Sequence, residues 1–284
     1  MSNKIIDGKE ISQSILNNVT DSVNSLKKRG INPCLSVILV GDDPASQVYV
    51  RNKEKACEKV GIISKSFRLP ATISQEELEN IINDLNNDKN VNGILLQLPL
   101  PKHLNEEKAL LKIEAAKDVD GFHVINTGKL LRGLDCIMPC TPKGCIEMLD
   151  YIGYDCDGKN AVVLGRSNLV GKPLAIMLLQ KNATVTVCHS HTQDLKEITK
   201  RADILVAAIG KPKFVTEDMV KEGAVVIDVG INRVDGKLCG DVDFDKCYEK
   251  VSYITPVPGG VGKMTIAMLM QNTLKATKIQ IGEI

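Results

Sequence analysis

Tryptophan is absent from the 284 residues, and only five tyrosines and four phenylalanines are present. That is little material for stacking bases. Net charge is also lacking: 36 basic and 35 acidic side chains leave a formal +1, too little for a broad basic field and with no acidic tail. No apolar run approaches the ~18 residues that span a bilayer. The N-terminal stretch MSNKIIDGKEISQSIL mixes charges among its apolar residues, unlike a secretion signal. A cytosolic protein is expected, with neither nucleic acid nor membrane as partner. Cysteine is plentiful, nine in all, but the number is odd, the residues are scattered and no CxxC pair occurs, so free thiols in a reducing compartment are expected. The densest group, Cys136, Cys140 and Cys145, has no matching histidine spacing, and His189 and His191 form an H-x-H at a strand end. Neither pattern is read as a metal site, and no metal is expected.

What is present is ordinary for a globular protein with a real core, 43% hydrophobic and 25% charged residues. At ~100–200 residues per domain the length suggests two domains. Ile11, Ile15, Val19, Val23 and Leu26 recur every three or four residues and predict an amphipathic helix that Gly30 ends. CLSVILVG follows as a buried strand, then a helix opened by Asp43-Pro44 and closed by Gly61. ISKSFRL reads as a strand, Ser74 and Glu77 as a capping box, NGILLQLPLP as a strand, and Asn105 as the start of a further helix. After KDVDGF the pattern restarts: a helix capped by Thr141-Pro142, strand NAVVLG, helix 170–181, strand ATVTVCHS, a helix near 193–200, then strands DILVAAIG and AVVIDVG. SYITPVP and a long helix from Gly262 close the chain. Alternation of strands and helices with short loops predicts an α/β protein of two domains with parallel sheets and a cleft between them. The expected division is 1–140 plus 265–284, and 141–264 as a Rossmann-type domain.

Two places lack what a standard motif supplies. In VVLGRSNLVGKPLA, a strand feeds a helix through Gly165 and Gly171, but the middle glycine of G-x-G-x-x-G is missing and Ser167 stands nearby, able to donate its hydroxyl. The helix start there is expected to offer free N–H groups to a phosphate. The next strand ends in Cys188, His189, Ser190 and His191, without the acid that holds an NAD ribose. Nothing then repels a 2′-phosphate, and Arg166 is placed to pair with it, so Arg166 and Ser190 favour NADP over NAD. The alternative for the loop is an ordinary turn, and for Arg166 a solvated arginine.

In DPASQVYVRNKEKACEKVG, Ala45, Val48, Ala56 and Val60 are assigned to one face and Arg51, Glu54, Lys55, Glu58 and Lys59 to the other. Lys53 falls near the apolar side, one turn beyond Tyr49, where an ammonium needs a partner. A Tyr–Lys pair in a cleft would suit acid/base work, against the plain reading of a solvated charged face. Gln97 sits at the carboxyl end of a strand, where parallel sheets open onto sites. Asp118 and Asp120 precede a glycine, and turn chemistry alone explains one of them. Another two-domain NADP oxidoreductase acting through a Lys–Asp pair, or a non-catalytic NADP-binding regulator, would carry several of these features.

Taken in order, YVRNKEKAC, GILLQLPLP, KDVDGF, PCTPKG, GRSNLVGKP, ATVTVCHS, VVIDVGIN and ITPVPGGVG resemble the bifunctional methylenetetrahydrofolate dehydrogenase/methenyltetrahydrofolate cyclohydrolase family over essentially the whole chain. The resemblance implies NADP-dependent oxidation of 5,10-methylenetetrahydrofolate, then hydrolysis to 10-formyltetrahydrofolate, in one-carbon metabolism and purine biosynthesis. It implies Lys53 as the central catalytic residue, Tyr49 beside it, Gln97 supporting it and Asp120 holding the pterin. It gives Pro258 and Gly259 to the folate, and Gly165, Arg166, Ser167, Ser190 and Ile231 to the cofactor. A homodimer is also implied. Two departures stand out, Lys263 and Val124, where the family usually has proline.

Overall fold

The computed structural model describes residues 4–284. In chain order they form α1 (Gly8–Lys28), β1 (Cys34–Val40), α2 (Pro44–Val60), β2 (Ile63–Leu69), α3 (Gln75–Asn87), β3 (Gly93–Leu96) and α4 (Glu106–Lys112). Next come α5 (Val124–Leu131), α6 (Cys140–Tyr151), β4 (Asn160–Leu164), α7 (Gly171–Gln180), β5 (Thr184–Cys188), α8 (Leu195–Thr199) and β6 (Ile204–Ala207). The last are β7 (Val225–Asp228), the strands β8 (Asn232–Val234) and β9 (Lys237–Cys239), α9 (Phe244–Cys247), β10 (Tyr253–Ile254) and α10 (Val261–Gln280). Helices α5 and α9 and the β8–β9 hairpin were not in the sequence expectation. Each is short, and the hairpin turns on Asp235-Gly236, both at positive φ.

The chain divides into two compact units. The first is Gln13–Cys140 with Ile266–Ile284. Its sheet runs β2-β1-β3, all parallel, with β1 buried at every position. A strand covered on both faces reads as an unbroken apolar run, which CLSVILV does but for one serine. Asp43 caps α2 by accepting from the Ser46 N–H at 2.7 Å, and Gly61 ends it in the left-handed conformation at φ 80°. The Ser74–Glu77 capping box on α3 is complete in both directions. The opposite end of α3 is closed by a buried lysine: Lys117 Nζ donates to the carbonyls of Leu85, Asn86 and Asp88 at 3.0, 2.7 and 2.8 Å. Three C=O dipoles replace water around that ammonium, while its burial lowers the Lys117 pKa. The later part of α10 belongs to this unit because Asn272 Nδ2 donates to the carbonyls of Val119 and Met138, at 2.9 and 2.8 Å.

The second unit is Thr141–Thr265 with the segment ending at Ser12. The expected division put the N-terminal segment in the other domain. It groups here because Ile5 bridges Ile254 in parallel, and Ile6 N–H donates to the Ile254 carbonyl at 2.9 Å. The sheet order is β10-β7-β6-β4-β5, all parallel. From β4 the chain goes outward to β5, then crosses to β6 on the other side. That reversal opens a crevice at the carboxyl ends of β4 and β6, the usual ligand position in open α/β sheets. No helix among the described residues is long and apolar enough to cross a membrane.

Candidate active site and nucleotide pocket

In the first unit, α2 buries Ser46, Val50, Lys53, Ala56, Cys57 and Val60. This corrects the face read from sequence: Ala45 and Val48 point to solvent, Val48 at 48% exposure, and the buried stripe runs through Lys53 itself. Lys53 is 9% exposed, and its Nζ donates to Gln97 Oε1 at 2.9 Å. Gln97 Nε2 in turn donates to the Leu98 carbonyl at 2.7 Å, which fixes the amide and leaves its oxygen toward the lysine. Asp120 is the second partner, near enough for the Lys53 charge to draw its carboxyl pKa down. Burial acts the other way and prevails, pushing the Asp120 carboxyl up, with the Asp118 charge adding to the rise. Tyr49, 37% exposed, sits one turn before Lys53 with its hydroxyl pKa raised by burial.

Of the two aspartates, Asp118 is the turn residue. It is 2% exposed and accepts from the N–H groups of Gly121 and His123 and from Asn126 Nδ2, at 3.1, 2.8 and 3.0 Å. Those bonds consume its oxygens and leave Asp120 for the site. Cys140, weighed in the sequence only as a metal ligand, donates instead to the Val119 carbonyl at 3.3 Å and hydrogen-bonds Asp120. Asn272 Nδ2 reaches its sulfur at 3.4 Å. No spacing signal links Asn272 to Cys140, 132 positions earlier by their numbers; only folding brings them together.

In the second unit, a pocket of about 320 Å³ lies over the carboxyl ends of β4, β5 and β6. Gly165, Arg166, Ser167 and Ser190 line it, together with Leu164, Cys188, His189, Leu195, Ala208, Ile209, Lys211 and Phe214. Gly165 is required twice over: its φ is +116°, and an added Cβ would meet the Ala208 carbonyl at 2.3 Å. At Gly171 an added Cβ would meet the Gly165 carbonyl at 2.1 Å, so the turn is closed too tightly for side chains. The expectation of free N–H groups at the α7 start is corrected. Ser167 Oγ accepts from Val170 and Gly171 at 3.1 and 3.3 Å, the Ser167 carbonyl accepts from Lys172 at 3.1 Å, and Pro173 has no N–H. Ser167 thus substitutes for the missing glycine as a helix cap, and its hydroxyl proton is left to donate. Ile231, Pro258 and Gly259 do not line this pocket. Ile231 is 45% exposed and lies against Gly262 at the start of α10, and Pro258 follows a cis peptide.

The floor of the pocket hangs on two buried carboxylates that the sequence reading passed over. Asp241, with no exposed surface, accepts from the N–H groups of Ile209 and Gly210 at 2.7 and 2.9 Å and from Asn232 Nδ2 at 2.9 Å. Asp228, 3% exposed, accepts from the N–H groups of Gly230, Asp241 and Val242 at 3.0, 2.9 and 2.9 Å. Burial pushes the Asp228 carboxyl up to about 6, the Asp241 charge adding to the rise and the three N–H groups opposing it. From about pH 4 to about 6 the folded chain holds a proton that the unfolded carboxyl, at its ordinary 3.8, has released. This group's contribution to stability is therefore full below that window and is lost as pH rises through about 6. Urea unfolding between those limits should show the decline in the native chain and a flatter profile in Asp228→Asn. Parallel profiles would remove Asp228 as its source.

The departures from family prolines have local explanations. Val124 is the first residue of α5, where proline would also fit, and is 59% exposed. Lys263 lies in the first turn of α10 and its N–H donates to the Gly260 carbonyl at 3.1 Å, a bond proline cannot make.

A parallel five-stranded sheet with a glycine turn at its switch point defines the second unit as a dinucleotide-binding fold. Residues 139–281 match "Tetrahydrofolate dehydrogenase/cyclohydrolase, NAD(P)-binding domain", and residues 6–120 match the catalytic domain of the same name. The chain belongs to the tetrahydrofolate dehydrogenase/cyclohydrolase family of enzymes. It is 57% identical over 276 residues to "Bifunctional protein FolD" of Moorella thermoacetica, covering 97% of this chain and 99% of that one. Among solved structures it resembles the bifunctional FolD methylenetetrahydrofolate dehydrogenase/cyclohydrolase of Campylobacter jejuni, with a TM-score of 0.96, 52% identity and coverage of 97% and 98%. It also resembles the Trypanosoma brucei enzyme complexed with NADP cofactor and inhibitor, with a TM-score of 0.94, 41% identity and coverage of 98% of each chain.

Proposed function

We propose that the chain oxidises 5,10-methylenetetrahydrofolate with NADP and hydrolyses the resulting 5,10-methenyltetrahydrofolate to 10-formyltetrahydrofolate. The observation that carries this reading is a lysine at the centre of a buried helix face, hydrogen-bonded to Gln97 and beside the carboxyl of Asp120. The pterin ring presents an N–H and an amino group side by side, an edge that a carboxylate such as Asp120 receives with two hydrogen bonds. Lys53 Nζ, in its neutral form, takes a proton from the water as it attacks the methenyl carbon, with Gln97 Oε1 fixing its direction. Tyr49 packs over the folate. Bound NADP supplies the hydride acceptor.

The second-unit pocket suits that cofactor. Its lining has apolar side chains for an adenine, Ser167, Ser190 and Arg166 for phosphate oxygens, and no Asp or Glu. Ile231, near the start of α10, is assigned to the nicotinamide end. NADP is favoured over NAD because β5 ends in Cys188, His189, Ser190 and His191, with no acid there to repel a 2′-phosphate. We assign the enzyme to the cytoplasm as a homodimer, supplying one-carbon units for purine synthesis.

Purified protein mixed with methylenetetrahydrofolate and NADP tests the reading by ultraviolet absorbance. NADPH should appear, with methenyltetrahydrofolate seen only after acid regenerates it from the formyl product. Methenyl accumulating at once would remove the hydrolytic step. Absence of NADPH would remove the oxidation.

A further inference from the structure

We propose that Lys211 is a specificity-determining residue of the nucleotide pocket, the second cation that grips the 2′-phosphate of NADP opposite Arg166. This rests on the NADP preference argued above. Lys211 lies beyond the carboxyl end of β6 and lines the same pocket as Arg166, Ser167 and Ser190. Its ammonium stands 5.5 Å from the centroid of the Phe214 ring, a cation–π contact that holds it at the pocket wall.

Three observations set this lysine apart from the other cations nearby. Lys196 is paired with Asp218 and Lys213 with Asp243, whereas Lys211 has no carboxylate partner among the described residues. Its loop is anchored: Asp241 takes the N–H groups of Ile209 and Gly210, and the Gly240 carbonyl takes the Lys213 N–H at 3.0 Å. An anchored loop loses less freedom when its lysine meets a ligand. Finally, His189, the third basic side chain in the lining besides Arg166 and Lys211, does not supply the charge. The His191 N–H donates to His189 Nδ1 at 3.2 Å, and burial, Arg166 and His191 all hold its pKa down. A phosphate dianion against Arg166 alone would keep surplus negative charge, and an unpaired ammonium in the same lining neutralises it.

The full-length protein titrated calorimetrically with adenosine 2′,5′-bisphosphate and with adenosine 5′-monophosphate isolates the 2′-phosphate without any turnover. The native chain should prefer the bisphosphate. Lys211→Met should weaken the bisphosphate about tenfold and leave the monophosphate unchanged, the size expected for losing one charge-assisted hydrogen bond. Lys211→Arg should keep most of the preference, and Arg166→Met should lose it. A Lys211→Met protein that discriminates as the native chain does, or that loses both ligands equally, overturns the role of Lys211. A native chain with equal affinity for the two ligands overturns the NADP preference and this proposal together.

Discussion

Lys53→Met should lose hydrolysis of methenyltetrahydrofolate by at least about 100-fold, the usual scale for removing a positioned acid/base group, while binding NADPH as the native chain does. Methionine keeps the unbranched apolar stem that lies among Val50, Cys57 and Val60 on the buried face of α2, so packing survives. What goes is the Nζ donor to Gln97 Oε1 and the positive charge beside Asp120. Without that charge the Asp120 carboxyl loses the interaction that lowers its pKa and is pushed further up by its burial. Loss of that charge disfavours the ionised carboxyl that accepts two hydrogen bonds from the pterin, so folate binding should weaken as well. Decay of methenyltetrahydrofolate absorbance reads the first effect, and NADPH fluorescence titration reads the second-unit pocket separately. Hydrolysis at the native rate would remove Lys53 from the chemistry.

Asp241→Ala should destabilise the second unit by about 3 kcal/mol, since three partly buried donors lose an acceptor that itself has no exposed surface. The donors are the N–H groups of Ile209 and Gly210 and the Nδ2 of Asn232, all bound to a carboxylate with no exposed surface. For a unit of this size the apparent melting temperature falls by roughly 10 °C. The released loop carries Ile209 and Lys211 in the pocket lining, so nucleotide affinity falls with it. Differential scanning calorimetry with and without NADP checks both effects. A melting temperature within a degree or two of the native value would mean that water or a shifted backbone satisfies those donors. Asp241→Asn separates charge from shape: its amide still accepts from one side, so it should fall between the native chain and the alanine variant.

Much of the architecture was legible because its signals are local. Asp43-Pro44 with Gly61, and Ser74 with Glu77, bracket helices through hydrogen bonds to residues no more than four positions away. Unbroken apolar runs such as CLSVILV and alternation of strand with helix announce parallel sheets covered on both faces. The turn from Gly165 to Gly171 and the absent acid at the end of β5 were equally readable, as were Lys53 near the apolar side of its helix and Gln97 at the end of an apolar strand, whereas Asp118 and Asp120 could not be told apart.

The misreadings arose where a residue's role depends on what folds against it. Helical periodicity offered more than one face for α2, and packing in the first unit chose the one through Ser46, Val50 and Cys57. Ser167 keeps its hydroxyl proton for a ligand, but the tight turn also brings its oxygen onto the N–H groups of Val170 and Gly171, a second role that no local signal announces. Lys117 and Asp228 gave no sequence signal, because their partners are backbone groups that any residue could supply, and Asp241 adds to such groups only the side chain of Asn232. The chain by itself determined its elements, its class and the side chains able to do chemistry, since these follow from local spacing and residue type. Tertiary structure alone decided which of two aspartates faces Lys53, which serine closes a helix and which lysine stands unpaired over a ring. Those outcomes depend on burial and on contacts between residues far apart in sequence.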